Sequence, residues 1–315
     1  MMTSQRKSSW KRVLVVILLA FFIFCLVSMV ATKFIYDAIF GLRPEAPIPV
    51  PEQLQSMVQQ RLTVQYDRDE LLLTGYLYRA EGEGDTLVVL APGFHARADS
   101  YLWQIRDLIQ RGWSVFSFDA TGTGASQGDS YVGFSQIVYD LRATLNYIEK
   151  QNRFGYNEIV LLGHSQGGYG VCGVLAEEYD IAAVVTVSGV NSAMEGVVGL
   201  ATDYVGPLAW GNYGFLWLYQ GMLFDARTVS LKAHDQLERT QVPALVIHGS
   251  SDSQVPADRF SIYAHRDEVR RPGVDFLLWD EDGYDGHTDL LFDPDGTANR
   301  ELMDRIHSFL LAHTA

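Results

Sequence analysis

The 315-residue chain is long enough for one large domain or two small ones. Its 48% apolar and 20% charged residues exclude a disordered, collagen-like or low-complexity chain. The formal charge is −14, and beyond residue 33 the chain holds 19 basic against 38 acidic residues. Because a phosphate-binding surface needs clustered lysine and arginine, nucleic acid is not an expected partner. The two cysteines, Cys25 and Cys172, exclude a disulfide framework and a thiolate zinc site.

An apolar segment near the N-terminus has the length of a membrane span. Residues 13–31 are 19 residues without a charged side chain, and at 1.5 Å per residue they extend roughly 28 Å, about the thickness of a hydrocarbon core. The apolar part of a cleaved signal peptide is usually only about 7–15 residues long, so an uncleaved anchor is favoured over a signal peptide. Four Lys or Arg residues precede the segment, which predicts a cytoplasmic N-terminus and a large domain outside the cytoplasm.

Proline marks the boundary between this segment and the rest of the chain. Four of the ten prolines fall in residues 41–51, a pattern typical of an extended segment without internal hydrogen bonds. The sequence therefore predicts a cytoplasmic N-terminus over residues 1–12, a transmembrane anchor over 13–32, a Pro-rich spacer over 33–60 and a globular domain over 61–315.

The remainder of the chain alternates short apolar strands with helices. A hairpin is expected over 62–66 and 71–78, followed by strands at 86–90, 113–118, 158–162, 182–187, 244–248 and 274–279. Helices are expected near 100–110, 134–151, after 167 and at 300–311. This order is typical of a mainly parallel sheet covered by helices on both faces. Residues 189–241 interrupt it with an aromatic insertion, which favours a folded cap over a bare loop.

One strand runs into a candidate nucleophile. Residues 163–167 read G-H-S-Q-G, the pattern G-x-S-x-G, between a β-branched strand and a small-residue helix. In a nucleophile elbow the turn is so tight that glycine flanks it, and it presents the serine, here Ser165, at the helix N-terminus. The helix dipole and free N–H groups there favour developing negative charge. A glycine-rich turn with a helix-capping serine has the same pattern, so the assignment depends on finding a base and an acid.

Both partners that an activated serine needs follow in the expected chain order. Asp252 lies in HGSSDSQVP after one late strand, and His287 lies in GYDGHTDL after the last strand. The order Ser165, Asp252, His287 predicts a catalytic triad. A helix-capping Asp252 and an exposed loop His287 are the structural alternatives, and Asp285 and Asp289, which flank His287, are alternative acids.

An acyl-transfer site also needs donors for an oxyanion. The backbone N–H of Gln166, directly after the nucleophile, is one predicted donor. The second is expected from the loop over residues 91–95, where Gly93 lets the backbone turn toward the serine, and the N–H of Phe94 is the predicted donor. Neighbouring amides of that loop are alternatives. The sequence predicts no metal site, because no group of His and Asp has ligand spacing.

These motifs resemble those of the α/β-hydrolase superfamily, and within it the branch of monoacylglycerol lipases and serine aminopeptidase-like enzymes. The resemblance rests on PGF at 92–94, FDATGTGASQG at 118–128, GHSQGG at 163–168, HGSSDSQVP at 248–256 and GH at 286–287, and it covers residues 61–315. It implies an α/β-hydrolase fold with a mostly parallel eight-stranded sheet, a cap after strand six at about 190–241, no cofactor, and hydrolysis of an ester, thioester or amide. Pro92 departs from the family loop, which often has histidine there.

Together these observations predict a membrane-anchored serine hydrolase that cleaves lipid-derived or other acyl esters through an acyl-enzyme on Ser165. A serine peptidase or amidase is the main alternative, and it would need a cap carboxylate such as Glu195 or Asp203 to bind a peptide N-terminus. Other acyl transfer and a non-catalytic binding module are further alternatives. No signal for an oligomeric state is present.

The aromatic residues of the cap are candidate substrate-binding residues. Trp210, Phe215 and Trp217 are predicted to line an acyl pocket beside the serine or to touch the nearby bilayer, with core packing as the alternative.

Overall fold

The computed structural model describes most of the chain. The described residues are 3–43, 54, 57, 60–66, 71–80, 82, 84–281 and 283–314, with the backbone alone for residues 3–9. Of the predicted Pro-rich spacer over 33–60, residues 44–53, 55, 56, 58 and 59 lie outside them.

Eight strands form one sheet in the order β1-β2-β4-β3-β5-β6-β7-β8. Their bounds are β1 Gln60–Gln65, β2 Leu72–Tyr78, β3 Thr86–Ala91, β4 Ser114–Phe118, β5 Glu158–His164, β6 Ala183–Val187, β7 Ala244–Gly249 and β8 Val274–Trp279. β2 pairs antiparallel with β1 and β4, and all other neighbours run parallel. The central strands are buried on both faces, as continuous apolar runs require. The predicted hairpin and mostly parallel eight-stranded sheet are confirmed.

Helices cover both faces of this sheet. Their bounds are α1 Thr3–Phe40, α2 Leu102–Gln110, α3 Gln136–Lys150, α4 Gln166–Gly173, α5 Ala193–Val205, α6 Leu208–Gly211, α7 Tyr213–Leu223, α8 Ala226–Val229, α9 Ala233–Arg239 and α10 Arg300–His313. One apolar core lies between the sheet and α3, α4 and α9, and a second lies between the sheet and α2 and α10. Helices α5 to α8 form the cap, which lies between β6 and β7 as the resemblance implied.

Helix α1 is long and apolar enough over Trp10–Phe40 to cross a membrane, and by position it fits an anchor or a signal sequence. Its last third packs on the domain, where Thr32, Tyr36, Ile39 and Phe40 are buried. Residues 33–40 are therefore helical, although the sequence assigned them to the spacer. The reason is that Tyr36, Ile39 and Phe40 continue the apolar face of the helix onto the cap and core.

Candidate active site

Ser165 lies in a sharp turn between β5 and α4. Its backbone has φ 55° and ψ −119°, a conformation that non-glycine residues rarely adopt. A Cβ atom at Gly163 would lie 2.3 Å from the carbonyl oxygen of Gly167, and one at Gly167 would lie 2.1 Å from that of Ala91. Both flanking glycines are thus required by close backbone contacts, which place the serine at the N-terminus of α4.

The structure brings the three predicted triad residues into one hydrogen-bonded series. The Ser165 hydroxyl donates to His287 Nε2 over 2.8 Å, and His287 Nδ1 donates to Asp252 Oδ2 over 2.7 Å. All three residues are buried, with at most 8% of their surface exposed. In this geometry a neutral imidazole can take the hydroxyl proton while the carboxylate holds its tautomer.

Asp252 is fixed by its own hydrogen bonds. Its Oδ1 accepts from the backbone N–H groups of Gln254 at 3.0 Å and Val255 at 2.8 Å, and His248 Nε2 lies 3.3 Å from Oδ2. Burial alone would raise the pKa of Asp252, but hydrogen bonds from His248 and His287 outweigh it and hold that pKa well below its usual value. Asp252 therefore carries its charge at neutral pH beside the imidazole.

The two alternative acids lie elsewhere. The Asp285 carboxylate accepts from the Ser250 hydroxyl at 2.6 Å, which ties the loop after β7 to the loop that carries His287. Asp289 is exposed on the short 3-10 segment Asp289–Leu291. Among the described carboxylates, Asp252 is the one with a hydrogen bond to the His287 ring.

His164 connects both loops that border the serine. Its Nε2 donates to the backbone carbonyl of His287 at 3.0 Å, and its Nδ1 accepts from the Tyr101 hydroxyl at 3.0 Å. That hydroxyl in turn accepts from the N–H of Gly93 at 2.9 Å. Burial, followed by the nearby charge of His287, lowers the pKa of His164 to about 3, so it stays neutral.

The sequence predicted no role in the site for His164 or for Tyr101. The position of His164 inside the G-x-S-x-G motif was the available signal. Nothing in the sequence marks Tyr101, which is buried and reaches the site from the 3-10 turn Ala98–Tyr101.

The backbone segments predicted to bind an oxyanion lie against the serine. A Cβ atom at Gly93 would be 3.2 Å from the Ser165 Cβ, so the loop after β3 passes directly beside it. At the start of α4, Gln166 is held by the Tyr131 hydroxyl at 2.6 Å and by its own donation to the Phe134 carbonyl at 2.7 Å. N–H groups in the first turn of a helix have no partner within the helix. The donor roles of Phe94 and Gln166 stay a prediction that this placement supports.

A cavity of about 370 Å³ opens onto Ser165, His287 and Phe94. Its cap wall includes Glu195, Asp203 and Trp210, and its core wall includes Val255, Phe260 and Leu291. A cavity of this size is typical of small-molecule sites.

Two of the three predicted cap residues lie outside this cavity. Trp210 lines it, but Phe215 packs edge-to-face on Phe24 of α1 with ring centroids 5.9 Å apart, and Trp217 is exposed to 44%. Phe215 and Trp217 thus do not line this cavity, and a role for them in substrate binding stays a prediction. Because α7 is a helix, residues two apart point to nearly opposite sides of it.

A second cluster of titratable groups joins the cap to the core. His234, His265 and Glu268 place ligand atoms within 4.8 Å of one another, a grouping that the linear sequence did not reveal. The two imidazole rings are stacked nearly parallel, with centroids 4.3 Å apart and an 11° interplanar angle. Imidazole lone pairs lie in the ring planes, so parallel rings do not direct them at one ion. The cluster is a polar contact, in which His265 Nδ1 pairs with Glu268 at 2.6 Å and Nε2 faces Glu195 at 3.6 Å.

Solved structures with the same fold include esterases. One from Pyrococcus furiosus has a TM-score of 0.63 at 20% identity, covering 86% of this chain and 98% of that one. Est1E from Butyrivibrio proteoclasticus, solved with ferulic acid bound, has a TM-score of 0.59 at 18% identity, covering 80% and 98%. In addition, residues 82–208 match the family described as serine aminopeptidase, S33. The chain has the α/β-hydrolase fold.

Curated relatives match this chain over shorter stretches. The quorum-quenching protein AidA of Acinetobacter baumannii is 26% identical over 151 residues, 45% of this chain and 50% of that protein. A proline iminopeptidase of Saccharolobus solfataricus is 33% identical over 117 residues, 37% of each chain. The matched region thus spans half or less of these relatives.

Proposed function

We propose that this protein is a membrane-anchored serine hydrolase of the α/β-hydrolase superfamily that cleaves carboxylic esters of lipid-derived or other acyl groups, with its catalytic domain outside the cytoplasm. The observation that carries the proposal is the hydrogen-bonded series Asp252, His287, Ser165 at the wall of a 370 Å³ cavity. The esterases among the structures of the same fold support an ester substrate.

In the proposed mechanism, Ser165 Oγ attacks the ester carbonyl as His287 Nε2 takes its proton. Asp252 stabilises the imidazolium that forms, and the N–H groups of Phe94 and Gln166 bind the oxyanion. His287 then gives the proton to the leaving alcohol, and water activated by the same imidazole hydrolyses the acyl-enzyme. Each proton transfer in this mechanism uses His287, so no other acid or base is required.

The anchor is supported by how α1 ends. Thr32, Tyr36 and Phe40 are buried by the domain, and beyond the helix Arg43 donates to the backbone carbonyls of Ser126 at 3.0 Å and Gly128 at 3.1 Å. Cleavage within or after the apolar run would break the backbone of α1 and separate side chains of the folded core from the rest of the domain. This favours a retained helix over a cleaved signal sequence.

The test uses the full-length protein in detergent or vesicles. A fluorophosphonate probe should label it, and Ser165→Ala should abolish both labelling and ester turnover, with a loss of several orders of magnitude in kcat and an unchanged thermal transition. Near-native turnover in the alanine variant would show that the nucleophile lies elsewhere.

A peptidase or amidase is the second candidate, and a specific observation favours it. Glu195 and Asp203, the carboxylates predicted for binding a peptide N-terminus, both line the cavity. Glu195 already accepts from Ser192 at 2.8 Å and Asn191 at 3.0 Å, whereas Asp203 is exposed. Turnover of aminoacyl anilides above that of matched esters, lost selectively in Asp203→Asn, would favour this candidate over the esterase.

A further inference from the structure

The cap contains a long uncharged segment at the protein surface. Residues 204–224 include no Asp, Glu, Lys or Arg. Large apolar side chains exposed to 41% or more in this segment are Tyr204, Leu208, Trp210, Tyr213, Trp217, Leu218, Met222 and Leu223. Outside α1 and the cap, the described residues expose large apolar side chains to 40% or more only at Leu42, Leu278 and Leu311. A concentration of exposed apolar surface of this kind marks an interaction surface.

Contacts with α1 fix the position of this surface along the length of α1, relative to the apolar run. From α7, Phe215 packs on Phe24 and Tyr219 packs on Tyr36, with ring centroids 5.9 Å and 5.0 Å apart. Just before α7, the Asn212 amide donates to the Thr32 hydroxyl. Helix α7 therefore crosses α1 between residues 24 and 36, around the point where the apolar run ends at residue 31.

The charged residues of α1 also indicate that α7 lies near the end of the apolar run. Its first exposed ion pair after the apolar run joins Lys33, the residue directly after Thr32, to Asp37 one turn further along. Phe24 lies seven residues inside the run, about 10 Å from its end at 1.5 Å per residue. If residues 13–31 span the hydrocarbon, α7 lies at the boundary between hydrocarbon and headgroups, with Phe215 on its deeper side.

The composition of the surface suits that boundary. Tryptophan and tyrosine concentrate at bilayer interfaces, where the ring is desolvated and the polar atom stays wet. The surface offers Trp210, Tyr213 and Trp217 together with aliphatic side chains and no charge that the bilayer would have to desolvate.

Trp210 links the surface to the catalytic cavity. Its side chain is half exposed and also lines the cavity that holds Ser165. The ring stacks between Phe260, whose centroid is 6.1 Å away, and Tyr213 at 6.4 Å. The cavity wall is thus continuous with the exposed apolar face of the cap.

We propose that the face formed by α6 and α7 lies in the interfacial layer of the bilayer beside α1, and that ester substrates pass from that layer into the cavity past Trp210. The substrate class is a membrane-resident lipid ester, rather than an ester that arrives from water. The proposal rests on the proposed function for its chemistry, and its placement in the bilayer can be measured without activity.

The placement test uses a spin label in the full-length protein reconstituted in phosphatidylcholine vesicles. Cys25→Ser and Met222→Cys place one reactive thiol on the face, and Leu311→Cys on α10 is the matched control, also exposed and apolar. The label at 222 should be more accessible to oxygen than to a water-soluble nickel chelate, and the label at 311 should show the reverse. Nickel accessibility at 222 equal to that at 311 would overturn the proposal, as would spin–spin broadening that reveals a second protein copy on this face.

The substrate test compares two esters. Leu218→Glu combined with Met222→Glu should lower turnover of a long-chain ester embedded in vesicles by about tenfold, while turnover of a short water-soluble ester stays unchanged. Leu311→Glu should change neither. Equal losses on both esters would overturn the membrane route, whereas absence of serine-dependent turnover on any ester in the unmodified protein would instead contradict the proposed function.

Discussion

The ring of Phe40, the last residue of α1, packs edge-to-face on the ring of Phe94, with centroids 5.3 Å apart. Phe94 also packs on Tyr131 at 4.9 Å, and the Tyr131 N–H donates to the Phe40 carbonyl at 3.0 Å. The end of the N-terminal helix therefore supports the loop that is predicted to supply an oxyanion donor.

Phe40→Ala should accordingly lower both stability and kcat on a soluble ester. Truncating a buried phenylalanine typically costs about 3–5 kcal/mol, and the loop that carries Phe94 loses its support. Thermal unfolding and initial rates measure the two effects. Phe34→Ala, on the same helix but 71% exposed, should change neither. A Phe40 variant as active as the wild type would show that α1 does not support the site.

Asp252→Asn should lower kcat by about 10⁴-fold, because an amide favours the wrong tautomer of the catalytic histidine. Asp285→Asn and Asp289→Asn are the matched controls and should retain most of the rate, since neither carboxylate contacts the His287 ring in the described structure. Steady-state kinetics on one ester decides the comparison. If Asp285→Asn lowered kcat as much as Asp252→Asn does, the orientation of His287 could not be assigned to Asp252 alone.

Tyr101→Phe should reduce kcat about 10-fold to 100-fold with little change in KM. The substitution leaves the Gly93 N–H and His164 Nδ1 without their buried partner, at a cost of roughly 1–3 kcal/mol for each unpaired group. A positioning role predicts that the loss appears in kcat. Tyr156→Phe, which removes a hydroxyl bonded to Arg79 far from the site, is the control. If Tyr101→Phe melts earlier yet keeps its kcat, the hydroxyl serves stability alone.

The contact of His265 with Glu195 and Glu268, which joins the cap to the core, should weaken as pH rises above neutrality. The Glu195 carboxylate, 3.6 Å from His265 Nε2, is the largest cause that raises the pKa of His265 above 6.5, and Glu268 adds to it against the opposing effect of burial. A raised histidine pKa contributes stability that is complete below the unfolded pKa and is lost as pH rises through the folded pKa. Burial and the nearby His265 lower the pKa of His234. Any contribution of His234 to the pH dependence of stability therefore lies below pH 6.5.

The measurement for this cluster is the difference in Tm between the wild type and His265→Gln. That difference should be largest near pH 6 and should shrink toward pH 9, because protonated His265 is lost over that interval. A difference that is independent of pH would show that the charge of His265 does not hold the cap.

Much of the site could be read from the sequence because its determinants are local. The strand-to-helix turn at Ser165 requires glycine on both sides, and G-x-S-x-G states that requirement directly. Asp252 and His287 each follow an apolar strand, and parallel strands bring their carboxyl ends to one edge of the sheet. The length of the apolar run of α1 could likewise be counted directly in the sequence.

What the sequence by itself determined was thus the order of strands and helices, the cap insertion and the three loops that meet at the serine. Only the tertiary structure decided that α1 ends against Phe94, that Tyr101 connects Gly93 to His164, and that Phe215 faces α1 instead of the cavity. The physical reason is that each of these contacts joins segments distant in sequence. A side chain on a helix takes its partner from whatever element packs on that side, and local propensity carries no information about which element that is.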